Sequence, residues 1–139
     1  MLKLFFTSSE NHANFGVSKV VNTLNYEIKK KKIISIYSNN ITNRFKKPFI
    51  PKNYLSSWAQ YSLLAESEYV KNKIMSNLSS ANIPSMIYYK LPLHLQAVFK
   101  KLGYKNGDFP ISEKTSRQIL SIPMHPYLDN EKQNKIRIN

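Results

Sequence analysis

Apolar residues recur at helical spacing over the first third of the chain. Such spacing turns the apolar side chains toward one face of an α-helix. We therefore predict one long helix over residues 16–44, ended by Pro48 and Pro51, because proline cannot continue a helix. The positions that carry this pattern are Val17, Val20, Val21, Leu24, Ile28, Ile34, Tyr37 and Ile41.

Shorter patterns follow, and they predict strands as well as helices. Residues 56–64 alternate between two faces, as a strand does, and residues 86–89 are rich in β-forming side chains. The other predicted elements are a helix over 66–80 with Val70, Ile74 and Leu78 as its inward stripe, a short helix over 95–102, a helix over 112–120 with Ser112 as its N-cap, a strand over 121–124 and a helix over 129–136. This order predicts an α+β fold, in which helices cover a small antiparallel or mixed sheet of about three strands.

The length and composition fit one domain. Residues 1–15 have no clear period and are predicted to be an irregular N-terminus, while residues 16–139 form the domain. The chain has no cysteine, which excludes disulfides and thiolate metal sites and fits a reducing compartment. The apolar residues within 1–6 are too few for a signal peptide or for a membrane span of about 20 residues. We therefore expect a cytoplasmic protein without a membrane partner.

The formal net charge of +13 raises nucleic acid as a partner, since basic chains bind phosphates through counterion release. Base and phosphate recognition favours arginine, which offers a bidentate fork. The only arginines are Arg44, Arg117 and Arg137, and the densest basic run, 29–32, lies inside the first predicted helix. This distribution favours a solvated basic face, and a nucleic-acid-binding protein remains an alternative.

Common catalytic and metal-binding patterns are missing from the sequence. His12, His94 and His125 do not have the spacing of metal ligands, and there is no glycine-rich phosphate loop. The close acidic pair Glu66 and Glu68 suits the start of a helix. A Ser-His-Asp set stays open, although no GxSxG motif is present. These observations identify no catalytic residue and no metal ligand.

Residues 88–96 read YYKLPLHLQ, a tyrosine pair followed by a proline-bent loop that carries an imidazole and an amide. All three groups bond well to sugar hydroxyls or diphosphate oxygens, although a core or surface role also accounts for them. Three further blocks are LSSWAQY at 55–61, GYKNGDFP at 103–110 and SIPMHPYL at 121–128. Together, and in their order along the chain, the four blocks resemble the C-terminal region of the DegT/DnrJ/EryC1/StrS sugar aminotransferases. Lys90 departs from the family pattern, which more often has proline there.

The resemblance implies the small C-terminal domain of a fold-type I aminotransferase that uses pyridoxal phosphate (PLP). It implies that Tyr88, Tyr89, His94 and Gln96 reach toward a nucleotide sugar, often across a dimer interface. The full enzyme would transfer an amino group from an amino acid, glutamate by expectation, to a keto-sugar nucleotide. It also implies structural roles for Trp58, as a core anchor, and for the 103–110 block, as a turn.

The resemblance further implies that the lysine that anchors PLP belongs to a large N-terminal domain. A chain of 139 residues that starts at Met1 leaves no room for that domain. We therefore expect a truncated or split enzyme that binds no PLP and is inactive alone. Its expected partners are a separately encoded large domain or a second copy of the chain. The alternative is a non-catalytic interaction module that keeps the fold.

Overall fold

The computed structural model describes residues 15–54, 56–136 and 138, and it describes side chains from residue 23 onward. The predicted irregular segment 1–15 lies outside the described residues, apart from Phe15, which begins the first helix. The elements are α1 (Phe15–Asn40), β1 (Phe45–Lys46), β2 (Tyr61–Ala65), α2 (Glu68–Ser80), two 3₁₀ helices (Leu93–Leu95 and Ala97–Leu102), α3 (Pro110–Gln118), β3 (Ile119–Ile122) and α4 (Asn130–Lys135).

The three strands form one antiparallel sheet in the order β1-β2-β3. In its register Phe45 faces Ala65, and Leu63 faces Leu120. Alternate residues of β2 are buried, as the pleat of a one-sided sheet requires. The sheet confirms the predicted α+β fold with three strands.

The strand predicted over residues 86–89 is wrong. Only Met86 pairs, in an isolated bridge with Ser121, and the chain then turns at Tyr88 and Tyr89. A β-propensity reports how well side chains fit a pleated surface, and it does not supply a partner strand. The third strand is instead β1, which no sequence pattern predicted.

The predicted ends of α1 and α3 also need correction. α1 ends at Asn40 and not at residue 44, because Ile41 pairs with Ile138 and the N–H of Thr42 donates to the carbonyl of Ile138 at 3.1 Å. α3 begins at Pro110, so Ser112 lies inside the helix and is not its N-cap. Proline favours the first helical position, where its fixed φ is already helical.

The core lies between the sheet, α2 and the second half of α1. Ile74 and Leu78 of α2 are buried and Val70 packs against them, which confirms the predicted inward stripe. Trp58 stacks on Tyr61 with ring centroids 5.8 Å apart and packs against the core, as expected of an anchor. None of the helices in the described ranges is long and apolar enough to cross a membrane.

Candidate functional site

A groove of about 270 Å³ opens between the segment that follows Met86 and the outer face of α3. One wall is the turn and loop at residues 88–93, and the other is α3 with the first residue of β3. The lining residues are Tyr88, Tyr89, Leu91, Pro92, Leu93, Ser112, Thr115, Ser116 and Ile119. The groove therefore combines apolar surface with phenol and aliphatic hydroxyls, a mixture that suits an organic ligand with several oxygens.

Tyr88 and Tyr89 both line this groove, as the resemblance implies for residues near a ligand. Their rings meet edge to face with centroids 6.5 Å apart. Tyr89 is 70% exposed and Tyr88 is 41% exposed. Tyr89 therefore adds little to the core, and most of its surface is open to a ligand.

His94 and Gln96 do not line the groove. The His94 Nε2 lies 3.0 Å from Glu113 Oε1, and the imidazole packs at 4.8 Å from the ring of Phe109. The Gln96 amide donates to the carbonyl of Leu91 at 3.2 Å. Both side chains thus bond to segments that form the walls of the groove, His94 to α3 and Gln96 to the loop. Their predicted contact with a nucleotide sugar remains a prediction.

Glu113 is a residue that the sequence patterns did not single out as functional. Its side chain is 4% exposed, and its Oε1 accepts hydrogen bonds from the N–H of Gly107 at 2.8 Å and of Phe109 at 3.4 Å besides the bond to His94. Burial alone would raise the pKa of Glu113, but the Gly107 N–H, His94 and the Phe109 N–H together hold that pKa below its ordinary value. The carboxylate is therefore kept ionised inside the protein.

A sequence signal for Glu113 did exist. An acid in the first turn of a helix can reach back to the N–H of the cap residue, as in a capping box. Here the cap residue is Phe109, and the preceding turn brings in the N–H of Gly107, whose φ is +99°. The hydroxyl face of α3 had a signal too, since Thr115 and Ser116 lie three and four residues after Ser112 and so share its side of the helix.

The groove residues do not fit the anchoring of PLP. A Schiff base needs a lysine in a desolvated position beside the cofactor, and the lining residues include no lysine. Lys71, a buried lysine of α2 that is 4% exposed, does not line the groove, and its Nζ lies 3.7 Å from Glu68 Oε1. Among the described residues there is also no group of three or more side chains able to hold a metal ion.

A sequence model of the DegT/DnrJ/EryC1/StrS aminotransferase family matches residues 8–138. The chain is 43% identical over 74 residues to the pleiotropic regulatory protein of Geobacillus stearothermophilus, covering 53% of this chain and 19% of that protein. It is 32% identical over 82 residues to the UDP-2-acetamido-2-deoxy-3-oxo-D-glucuronate aminotransferase of Pseudomonas aeruginosa, covering 59% of this chain and 21% of that protein. The chain thus spans about a fifth of the length of these curated relatives.

Solved structures agree in fold. A DegT DnrJ EryC1 StrS aminotransferase from Brucella abortus is 34% identical, with a TM-score of 0.63 over 82% of this chain and 29% of that one. Spr1654 from Streptococcus pneumoniae has been solved in apo, PMP and PLP forms. Its apo form is 24% identical, with a TM-score of 0.76 over 89% of this chain and 32% of that one. The match of the family model over residues 8–138 shows that the chain belongs to the DegT/DnrJ/EryC1/StrS aminotransferase family.

Proposed function

We propose that this chain is the small-domain part of a nucleotide-sugar aminotransferase and that its groove helps to bind the nucleotide sugar. The observation that carries the proposal is the position of Tyr88 and Tyr89, which share one groove with the hydroxyl groups of Ser112, Thr115 and Ser116. An exposed aromatic ring can stack on a base or a sugar face, and hydroxyls can bond to sugar oxygens. Relatives named as aminotransferases of UDP- and dTDP-sugars support this substrate class.

The complete enzyme would transfer an amino group from an amino acid, glutamate by our proposal, to a keto-sugar nucleotide. PLP, when bound, supplies the electron sink for that chemistry. The groove offers no lysine to anchor PLP, and the chain spans about a fifth of its curated relatives. We therefore propose that turnover needs a PLP-binding part beyond the described residues, in the same polypeptide or in a second one, and that the 139 residues alone are inactive.

The apolar rim of the groove supports a protein partner as well as a ligand. Leu91 and Leu93 line the groove and are largely exposed, and Ile111 at the start of α3 is 82% exposed. Apolar surface of this kind tends to be covered by a partner. We propose that the PLP-binding part covers it. Light scattering of the chain with and without a co-expressed large domain tests this, and a homodimer of the chain alone would instead assign the rim to a second copy.

Binding of a nucleotide sugar is tested by adding UDP-N-acetylglucosamine to the isotope-labelled chain and recording amide NMR spectra. We expect saturable shifts at the groove residues, with smaller shifts from N-acetylglucosamine alone, because only the nucleotide offers a base and a diphosphate. Shifts spread evenly over the exposed lysines would indicate non-specific phosphate binding. That result, or no shift at millimolar ligand, would contradict the proposed function.

The proposed inactivity of the chain alone needs a test that tolerates its many lysines. Free PLP forms Schiff bases with exposed lysines on any protein, so a yellow colour alone is not evidence of a site. We propose reduction of the PLP-treated chain with borohydride, followed by peptide mass mapping. Partial labelling at many lysines, with no transamination of a keto-sugar nucleotide, is expected. Stoichiometric labelling of one lysine together with turnover would overturn the proposal.

A further inference from the structure

We propose that Glu113 and His94 are positioning residues that hold the two walls of the groove at a fixed separation. This inference rests on the proposed function for the identity of the ligand, but its structural part does not depend on any ligand. Neither side chain lines the groove, and both are nearly buried, at 4% exposure for Glu113 and 8% for His94.

The geometry places one carboxylate oxygen at the meeting point of three chain segments. The Oε1 atom of Glu113, on α3, accepts a hydrogen bond of 3.0 Å from the Nε2–H of His94, which lies in the Leu93–Leu95 3₁₀ helix. The same atom accepts the N–H of Gly107 at 2.8 Å, from the turn that leads into α3. One buried acceptor therefore joins the loop wall, the turn and the helix wall.

The neighbours of this pair in sequence are the residues that face the groove. Leu93 directly precedes His94, and Ser112 directly precedes Glu113. A change in the distance between His94 and Glu113 therefore changes the distance between Leu93 and Ser112 across the groove. The amide of Gln96 adds a second brace, because it holds the carbonyl of Leu91 on the same wall.

The bond is strong enough to act in this way because it is charge-assisted and buried. A buried carboxylate that loses a donor keeps its desolvation penalty, so the protein must rearrange to satisfy it or admit water. The loop wall has the weaker hydrogen bonds of the two walls, since the Leu93–Leu95 3₁₀ helix at its end has poorer hydrogen-bond geometry than the α-helix α3. We therefore expect the loop wall, and not the sheet, to move when the pair is broken.

The test uses the full chain with methyl-labelled leucine and threonine and four variants. His94→Ala and Glu113→Ala break the pair, His94→Gln keeps a nitrogen donor near the same place, and Tyr37→Phe is the control that removes a buried hydrogen bond in the core. We expect His94→Ala to shift the methyl signals of Leu91, Leu93 and Thr115 while those of Leu63 and Leu120 stay fixed. In Glu113→Ala, which removes the acceptor of the Gly107 N–H, exchange of the Gly107 amide hydrogen should rise at least about tenfold, as expected for loss of one charge-assisted bond.

His94→Gln should return the groove signals toward wild type, and Tyr37→Phe should leave them unchanged. Should Glu113→Ala fail to fold, His94→Ala and His94→Gln still decide the matter, because they leave the carboxylate with its backbone donors. Unchanged groove methyls in His94→Ala, or equal shifts in Tyr37→Phe, would overturn the inference.

A ligand measurement separates this inference from the proposed function. With UDP-N-acetylglucosamine as the probe, His94→Ala should weaken binding about tenfold, which corresponds to about 1.4 kcal/mol of binding free energy. His94→Gln should weaken binding about twofold at most, because its amide still holds the loop wall. If the groove methyl signals shift in His94→Ala but the wild type does not bind the probe, the positioning role is supported and the proposed function is contradicted. Binding that is equal in wild type and His94→Ala would contradict the positioning role and leave the proposed function supported.

Discussion

The hydroxyl of Tyr37 donates a hydrogen bond of 2.7 Å to the carbonyl oxygen of Pro123. Tyr37 lies in the second half of α1 and has no exposed surface, and its ring packs edge to face against Tyr61 at 5.2 Å. A buried phenol needs a hydrogen-bond partner, and the carbonyl of Pro123 supplies it. The ring contact therefore fixes α1 against β2, and the hydrogen bond fixes α1 against the residue that follows β3.

Removing that hydroxyl should lower stability by a modest and measurable amount. We expect Tyr37→Phe to lower the free energy of unfolding by about 1 kcal/mol, because one buried hydrogen bond is lost while the ring still fills its place. Urea denaturation followed by circular dichroism measures this difference. The matched control is Tyr69→Phe, on the exposed face of α2 at 74% exposure. Equal stabilities of the two variants would show that the Tyr37 bond contributes nothing.

The same residue should make the protein sensitive to alkali. Burial, with a smaller contribution from Tyr61, raises the pKa of Tyr37 well above its ordinary value of 10.0. The folded state then holds its proton more tightly than the unfolded state, so the stabilisation is complete below pH 10 and is lost as the pH rises above it. Denaturation midpoints measured from pH 8 to 11.5 should fall above pH 10, and less steeply in Tyr37→Phe. Parallel curves for the two proteins would contradict this.

Local patterns predicted the helices better than the sheet. The stripe of Val70, Ile74 and Leu78 gave α2 to within two residues, because helical hydrogen bonds and capping by Ser67 depend only on nearby sequence. β1 has two residues and exists only because they pair with Leu64 and Ala65 of β2. No local period can reveal such a strand, since the partners of its two residues lie 20 and 18 positions away.

The candidate site, too, has features that the sequence predicts and features that depend on residues distant in the chain. The resemblance directed attention to the segment that contains Tyr88 and Tyr89, and the structure places both on the groove. It could not show that His94 turns away from the groove, because that orientation depends on Glu113, which is 19 positions further along the chain. A buried acid with three donors is a tertiary feature. The sequence alone shows only an acid in the first turn of a helix.

The buried carboxylate should also make the protein sensitive to acid. Because the donors around Glu113 hold its pKa below the ordinary value of 4.5, its contribution to stability is present above pH 4.5 and is lost as the pH falls through the lower folded value. We expect Glu113→Gln to be less stable at pH 7 and to lose less stability on acidification. Thermal unfolding from pH 7 to pH 3 measures both effects.

The control for acidification is Asp129→Asn. The backbone N–H of Lys132, followed by its side chain, holds the pKa of Asp129 below its ordinary value of 3.8, so Asp129 also contributes stability that is lost on acidification. Asp129 caps α4, away from the groove. Acid curves that are identical for wild type and Glu113→Gln would show that Asp129 and other acids, and not Glu113, set the acid limit.

Tyr89 offers the most direct test of ligand binding, because its side chain is too exposed to stabilise the fold. We expect Tyr89→Ala to weaken binding of UDP-N-acetylglucosamine by about tenfold or more, since stacking of a base on an aromatic ring contributes about 1–3 kcal/mol. Its free energy of unfolding should change by less than about 0.5 kcal/mol, as for other exposed positions. Isothermal titration calorimetry and urea denaturation measure the two quantities on the same samples.

Tyr69→Ala is the matched control for Tyr89→Ala, because the two tyrosines have nearly equal exposure but Tyr69 lies on α2 and does not line the groove. Tyr89→Phe separates the two chemical contributions of the side chain, since it keeps the ring and removes the hydroxyl. Loss of affinity in Tyr89→Ala but not in Tyr89→Phe would assign binding to stacking, and loss in both would assign it to the hydroxyl. An equal effect of Tyr69→Ala would mean that the ligand binds through general aromatic surface, and the groove would then have no specific role.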